Sequence, residues 1–152
     1  MYTLKTIQKL PITLDEAWDF FSSPANLKDI TPAHMGFHIL TDIPGKMYPG
    51  MIIAYIVKPL LGIPLKWVTE ITHVIEKEYF VDFQIMGPYK IWHHQHHFKE
   101  IEGGIEMTDI VSYSLPLGFL GKWARWLFVG KKVEQIFEYR YKVLEEKFGR
   151  MN

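Results

Sequence analysis

Four closely spaced histidines are the residues of this sequence to consider first as candidates for chemistry. They stand at positions 93, 94, 96 and 97. Trp92 and Phe98 flank them and mark the even-numbered positions of this segment as its apolar face. Because side chains two residues apart on a strand share a face, the pattern predicts that His94 and His96 point into the protein and that the other two point outward. Histidine titrates near neutral pH, so this inward pair is a candidate for proton transfer, ligand contact or metal binding.

Asp109 is a carboxylate that the sequence places close to these histidines. The segment that contains it alternates with the same parity, so Asp109 shares the inward face with Val111 and Tyr113. A hairpin through Glu102-Gly103-Gly104 joins the two segments, and one allowed register sets His96 across from Asp109. A carboxylate in an apolar wall needs a hydrogen-bonding or charged partner. We therefore expect a buried His96–Asp109 pair that stabilises the hairpin.

Three other roles of these side chains stay open on the sequence alone. They can anchor the polar head of a ligand, bind a metal ion, or act as general acid and base. Two histidines and one carboxylate are the smallest common metal-binding set. The sequence does not show that a third ligand joins the two histidines at one ion, so we predict no metal and no other cofactor. Alternation does not decide whether Asp82 and Gln84 face inward, and no residue is assigned as catalytic.

Composition limits the class of protein. The 152 residues suffice for one domain, 1–152, and 15% of them are aromatic, which suits both a core and the wall of an apolar pocket. Seventeen basic and seventeen acidic residues give no net charge. Binding of nucleic acid needs a basic surplus, so we expect no nucleic acid partner. The absence of cysteine excludes disulfides and thiolate chemistry.

Enzyme and targeting motifs are also missing from the sequence. It contains no dinucleotide fingerprint, no phosphate loop and no Gly-x-Ser-x-Gly nucleophile elbow. The first residues lack the layout of a signal peptide, and the longest apolar run, 51–57, is too short to cross a bilayer. We therefore expect a cytoplasmic protein.

Hydrophobic periodicity predicts the elements that position these side chains. A strand at 2–10 is followed by two short helices, the first of which begins at Thr13 with Glu16 completing a capping box. Period-two segments then predict six strands, at 37–41, 50–57, 65–75, 79–86, 89–100 and 105–115. Apolar residues at helical spacing predict a long helix over about 131–148. Short turns between the strands favour an antiparallel meander, and the last helix is the only large element available to cover its apolar face.

The segment 115–129 is rich in aromatic residues and contains two glycines. It can pack on the core, act as a lid over a pocket, or touch an anionic membrane surface. The residues for a transient membrane-surface contact are Phe119, Trp123 and Trp126.

Several motifs resemble those of a known family. They are Ala17-Trp18-Asp19-Phe20-Phe21 with Pro24-Ala25-Asn26-Leu27, Thr31-Pro32, Gly62-Ile63-Pro64, Trp67-Val68-Thr69-Glu70-Ile71, Phe80-Val81-Asp82, Gln84, Gly87-Pro88-Tyr89, Trp92-His93-His94, His96, Phe98, Thr108-Asp109 and Leu115-Pro116-Leu117-Gly118. Together with the order of elements they resemble the SRPBCC (START-like, helix-grip) superfamily. Within it, the chain is similar to the bacterial polyketide cyclase/dehydrase-like ligand-binding branch related to domains fused to epimerase-like "cell division inhibitor" proteins.

The resemblance implies an α+β helix-grip fold. In this fold a seven-stranded curved antiparallel sheet surrounds a long C-terminal helix, and two short helices follow the first strand. It also implies an internal cavity between the sheet and that helix, a small hydrophobic or lipid-like ligand, and a functional link to an epimerase-like protein. It supplies no catalytic residues, because this fold supports many unrelated activities.

We expect a binding protein, in which the inward side chains of the sheet and the helix contact the ligand. The predicted ligand-binding residues are Trp67, Ile71, Trp92, His94, His96, Phe98, Asp109, Val111, Tyr113, Phe137 and Tyr141. Ile136 and Leu144 complete the predicted lining. One alternative is a cofactor-free cyclase or dehydratase with His94 or His96 as general base. Another is an accessory module that binds a second protein.

Overall fold

One antiparallel sheet and one long helix form most of the protein. The computed structural model describes residues 1–42, 45–58, 62–116 and 128–151. The strands are β1 (Tyr2–Leu10), β2 (His38–Ile39), β3 (Met51–Val57), β4 (Leu65–Ile75), β5 (Tyr79–Met86), β6 (Ile91–Ile101) and β7 (Gly104–Ser114). The helices are α1 (Leu14–Phe21) and α2 (Gly130–Phe148), with short 3₁₀ helices at Pro24–Lys28 and Ala33–Met35.

The sheet has the order β1-β7-β6-β5-β4-β3-β2, and every neighbouring pair is antiparallel. β2 to β7 therefore form a meander, and β1 joins it at the far edge beside β7. The curved seven-stranded sheet, the short helices after β1 and the long C-terminal helix confirm the predicted α+β helix-grip architecture.

Hydrogen bonds between Thr13 and Glu16 define the start of helix α1. The Thr13 hydroxyl accepts from the Glu16 backbone N–H at 3.2 Å, and the Glu16 carboxylate accepts from the Thr13 N–H at 2.8 Å. This is the predicted capping box, and it satisfies N–H groups that a helix start leaves without partners. The second short helix, at Pro24–Lys28, is a 3₁₀ helix.

One predicted strand is much shorter in the structure than in the sequence pattern. The interval 37–41 contains only His38–Ile39 as strand. The Thr41 hydroxyl accepts the Ala54 N–H at 3.3 Å, so a side chain replaces a backbone partner where the pairing ends.

The inner face of the sheet carries two hydrophobic clusters. Beneath α1, Trp18, Phe21 and Phe98 pack edge-to-face or tilted, with ring centroids 5.4 to 5.7 Å apart. At the other end of the sheet, Trp67 and Trp92 pack with Val133 and other residues of a second cluster. α2 lies across this inner face with its Val133, Phe137, Arg140 and Leu144 side chains buried. Among the described residues, no helix is long and apolar enough to span a bilayer.

Candidate functional site

β6 places His94 and His96 on the inner face of the sheet. Their exposed fractions are 6% and 4%, whereas His93 and His97 on the opposite face are partly exposed. The predicted inward and outward sets are therefore confirmed. The predicted register is confirmed as well, because His96 pairs with Asp109 across β6 and β7.

Asp109 contacts both inward histidines. Its Oδ1 atom lies 3.0 Å from His94 Nε2 and 2.9 Å from His96 Nδ1. Asp109 is 2% exposed, so these contacts are shielded from water. The pair predicted from the sequence is thus part of a larger cluster.

Asp82 contacts the same two rings from the opposite side. β5 pairs with β6 so that Asp82 lies across from His94. Its Oδ2 atom lies 2.9 Å from His96 Nε2 and 3.4 Å from His94 Nδ1. Gln84, two residues along β5, is also buried, but its amide binds the backbone of Tyr89 at 2.7 and 3.3 Å. Asp82 therefore joins the cluster, and Gln84 holds the β5–β6 connection.

Arg140 of α2 completes the cluster. Its Nη2 atom lies 3.4 Å from Asp109 Oδ1 and 3.4 Å from His96 Nδ1, and the residue is 7% exposed. Its guanidinium also lies over the Phe21 ring, 5.4 Å from the centroid. Arg140 falls at the same helical spacing as the apolar residues Val133, Phe137 and Leu144, and it was not among the predicted site residues. An arginine in that position was the signal, since a buried cation needs an anionic partner.

Burial and three charged neighbours, Asp82, Asp109 and Arg140, determine the protonation state of His96. Burial disfavours the protonated ring, but the hydrogen bonds to Asp109 and Asp82 outweigh that effect and raise the His96 pKa. Both ring nitrogens face carboxylate oxygens, which only accept, so both nitrogens donate and His96 is an imidazolium. In this state the Arg140–His96 contact joins two donors and is not a hydrogen bond.

His94 is the neutral member of the pair. Burial and the neighbouring charge of His96 lower the His94 pKa, although the two carboxylates act in the opposite direction. Burial works against ionisation of Asp109, but the Arg140 charge and the hydrogen bonds from both histidines hold its pKa well below the usual range. Asp82 likewise has a lowered pKa, because the facing histidines outweigh its burial. Two carboxylates then balance one imidazolium and one guanidinium.

A cavity of about 150 Å³ lies between the sheet and α2. Of the predicted ligand-binding residues, those that line it are Trp67, Ile71, Trp92, His94, His96 and Phe137. Ile136, Asp82 and Arg140 also line it, so the cluster forms one part of its wall. The volume is below the range of about 300–1,000 Å³ that is typical of small-molecule sites. Tyr55 stacks on Trp67, Tyr89 packs against it in a tilted arrangement, and both rings occupy part of the space.

A second hollow of about 320 Å³ lies on the other flank of α2, against β1 and β7. Tyr141 and Asp109 line this groove, which Phe137 and Arg140 separate from the cavity. Tyr141 therefore faces the groove and is 39% exposed, contrary to its predicted place in the cavity wall. At 100° per residue, adjacent positions 140 and 141 point to different flanks of the helix.

The remaining predicted lining residues are packed in the core. Phe98 packs on Trp18 and Phe21, while Val111 is fully buried and Tyr113 packs on Trp92. Leu144 is fully buried beneath α1 with the first cluster. These residues face inward as predicted but do not line the cavity. The parity of a strand indicates its inner face and not which inner side chains border a void.

Two polar features of the cavity wall were not predicted. Trp67 is 7% exposed, and its indole N–H has no hydrogen-bond partner among the described residues. Tyr55 and Thr69, which also line the cavity, join their hydroxyl groups at 3.2 Å. An unpartnered buried donor costs free energy unless a further molecule satisfies it.

The predicted membrane-contact residues lie outside the described part of the chain. These are Phe119, Trp123 and Trp126. Phe128, which belongs to the same aromatic segment 115–129 and is described, is 64% exposed.

Comparison with known proteins identifies the fold class. No protein-family model and no curated protein sequence matches the chain. Among solved structures, it is similar to CV1439 from Chromobacterium violaceum, with 9% identity over 98% of each chain and a TM-score of 0.73. It is also similar to Ara h 8.0201, with 13% identity over 95% of this chain and 98% of that chain and a TM-score of 0.60. The protein therefore shares its helix-grip fold with these structures.

A third similar structure is a longer protein. The chain aligns with a nucleoside-diphosphate sugar epimerase from Corynebacterium glutamicum at 23% identity and a TM-score of 0.65. The alignment covers 94% of this chain but only 28% of the epimerase. Part of that protein thus shares this fold.

Proposed function

We propose that this protein binds a small, largely apolar molecule in the cavity between the sheet and α2. The observation that carries the proposal is the unpartnered Trp67 indole N–H in an aromatic cavity wall. A ligand with one hydrogen-bond acceptor would satisfy this donor, while its apolar part would occupy the space between Trp92, Ile71 and Phe137.

The volume limits the size of the ligand. A cavity of about 150 Å³ admits a molecule of about the size of one benzene ring. A single-ring or short-chain compound therefore fits without rearrangement, whereas a long lipid chain requires the cavity to open. We favour a small ring with an oxygen substituent.

Charge limits the polar group of the ligand. The Asp82 side chain lines the cavity and is 17% exposed, and its lowered pKa keeps it ionised near neutral pH. The charges of this wall are already paired, because Asp82 and Asp109 face His96 and Arg140, so a carboxylate on the ligand would be buried without a cation to balance it. A neutral ketone, phenol or alcohol suits this wall better than a fatty acid.

His94 supports a second candidate function. It lines the cavity, its Nε2–H donates to the buried Asp109, and it is neutral. A histidine oriented by a carboxylate in this way is suited to act as a general base. The second candidate is therefore a cofactor-free cyclase or dehydratase, which would convert an enolisable ketone rather than only bind it.

Two partner predictions remain part of the proposal. Similarity to one part of the Corynebacterium epimerase supports a functional link to an epimerase-like protein. Co-purification of the two proteins from the native cell would test it. Contact of Phe119, Trp123 and Trp126 with a membrane surface would be tested by flotation with anionic vesicles.

The decisive experiment compares the two hollows. Native mass spectrometry and thermal melts would be recorded with a panel of single-ring ketones and phenols and with matched carboxylic acids. Ile136→Trp fills the cavity, while Tyr141→Trp places the same side chain on the same helix but in the groove. We expect neutral ligands to raise the melting temperature of the wild type and of Tyr141→Trp only. Equal binding by Ile136→Trp would contradict the cavity as the site.

A further inference from the structure

The two carboxylates of the cluster contact different nitrogens of the histidines. Asp109 Oδ1 faces His94 Nε2 at 3.0 Å and His96 Nδ1 at 2.9 Å. Asp82 Oδ2 faces the other nitrogen of each ring, His94 Nδ1 at 3.4 Å and His96 Nε2 at 2.9 Å. When both rings donate their hydrogens to Asp109, their remaining lone pairs therefore converge on the side of Asp82.

Asp109 has the position of a supporting carboxylate. In metal sites, a ligating histidine commonly donates its other N–H to a carboxylate, which fixes the tautomer and the orientation of the ring. Here one buried carboxylate does this for two histidines, and Arg140, 3.4 Å away, balances its charge. The support for two ligating rings is thus present within the fold.

We propose that Asp82 Oδ2, His94 Nδ1 and His96 Nε2 form a binding site for a divalent transition-metal ion such as Zn²⁺ or Fe²⁺. Each of these three residues offers a ligand atom that lies within 4.8 Å of those of the other two. Ligand atoms about 2.1 Å from one ion are separated by about 3.0 to 3.4 Å in octahedral or tetrahedral geometry, and Asp82 Oδ2 lies 2.9 and 3.4 Å from the two nitrogens. In the ion-free cluster, a hydrogen on His96 Nε2 occupies the place that the ion would take.

The surroundings of this site would let a bound ion contact a ligand or a substrate in the cavity. Asp82, His94 and His96 all line the cavity, so the coordination positions that they leave open face it. Two histidines and one carboxylate with open positions are typical of ions that bind a further small molecule. The proposed metal site does not depend on an apolar ligand being present.

Metal binding would be tested on the full chain without an affinity tag. The protein would be treated with a chelator, dialysed and titrated with Co²⁺ and Zn²⁺ by calorimetry, and the Co²⁺ form would be examined by visible absorption. We expect one ion per chain and a rise in melting temperature. Absorption-edge spectroscopy of the Zn²⁺ form should show two imidazole nitrogens. No saturable binding would overturn the proposal.

Variants on the same strand provide matched controls. Because Asp82 and His94 would each supply a ligand, Asp82→Asn and His94→Gln should each weaken binding by about 100-fold, and Asp109→Asn by about 10- to 100-fold. His93→Ala and His97→Ala remove outward histidines of β6 and should leave the affinity unchanged. Loss of binding in these controls, with binding retained in His94→Gln, would place the ion on the outer face and refute the site. If Asp82→Asn does not fold, His94→Gln and the spectroscopy still decide the question.

The experiments test the proposed metal site and the proposed ligand site independently of each other. Binding of a single-ring ketone to the chelator-treated protein would support the cavity function with no metal present. Stoichiometric Co²⁺ binding without any effect of the ketone would support the metal site alone.

Discussion

Asp82 and Asp109 hold the same two imidazole rings from opposite sides, although their strands are not neighbours. β6 lies between β5 and β7 and carries His94 and His96, so each ring has a carboxylate on either side. Movement of either ring breaks contacts on both sides at once. The cluster therefore connects the three adjacent strands β5, β6 and β7 through side chains as well as through the backbone.

Replacement of Asp109 should strongly destabilise the protein. Asp109→Asn removes the anion that contacts His94, His96 and Arg140, and leaves buried positive charge without compensation. We expect a loss of about 3 kcal/mol or more in the free energy of unfolding. Urea denaturation would measure it, with His93→Ala on the outer face as a control that should change stability by less than about 0.5 kcal/mol. Similar losses in both variants would show that the cluster contributes little.

The metal-free protein should lose stability in acid. Asp82 and Asp109 have lowered pKa values, so the unfolded chain binds more protons than the folded one, and stability falls as pH drops below the usual aspartate range. His94, with its lowered pKa, adds to this loss from near pH 6.5 downward. His96, with its raised pKa, has the opposite sign, because protonated His96 is favoured in the folded state: its contribution is fully present in acid and is lost as the pH rises above about 6.5.

Urea midpoints measured between pH 3 and pH 8 in the presence of a chelator would test this dependence. In Asp109→Asn, the decrease on the acid side should be smaller, because one of the two carboxylates no longer titrates. An identical pH profile in the wild type and the variant would contradict the assignment of the acid sensitivity to this cluster.

Gly104 should not tolerate a side chain. A Cβ atom at this position would collide with the backbone carbonyl oxygen of Leu10, where β1 ends beside β7. Gly104→Ala should therefore cost about 1–3 kcal/mol. Gly87→Ala is the matched comparison, since its Cβ would meet the Gln84 side chain, which can shift at the cost of its contacts with Tyr89, and not a backbone atom. A chemical denaturation series should show the larger loss for Gly104→Ala, and the reverse order would be inconsistent with these contacts.

Trp67→Phe should separate stability from ligand binding. The substitution removes an indole N–H that has no partner among the described residues, which offsets the packing lost with the smaller ring. We expect little change in the free energy of unfolding and about a tenfold loss of affinity for a ketone, corresponding to one hydrogen bond. Calorimetric titration would measure the affinity. Trp92→Phe, which replaces the second indole of the same cavity wall, is the comparison variant. Unchanged affinity would remove Trp67 from the polar contacts of the ligand.

The strands could be predicted from the sequence because their signals are local. β4 and β5 have the predicted bounds, since alternating apolar residues stand between clear turns. The His96–Asp109 register followed from the same alternation and a short hairpin. β2 was overestimated, because an apolar run at the edge of a sheet does not show where backbone pairing ends.

The full site could not be predicted because it depends on contacts between distant elements. Asp82 joins the cluster through the pairing of β5 with β6, and parity within β5 alone does not show which face is inside. Arg140 reaches the cluster from α2, and its partners become evident only when the helix lies on the sheet. Tyr141 was misplaced for a related reason, since helical spacing does not distinguish the two flanks of α2.

The pairing of β1 with β7 has a consequence for how the chain acquires its structure. Tyr2 lies opposite Tyr113 and Leu10 opposite Ile105, so within the described part of the chain the first strand pairs only with β7, about a hundred positions later. During synthesis, β1 emerges early and must stay unpaired until the whole meander has left the ribosome. Such distant pairings slow folding to about milliseconds to seconds and expose a strand edge in the interval. Polar or charged residues at alternate positions of β1, such as Lys5 and Lys9, would then help to keep the waiting strand from associating with other chains.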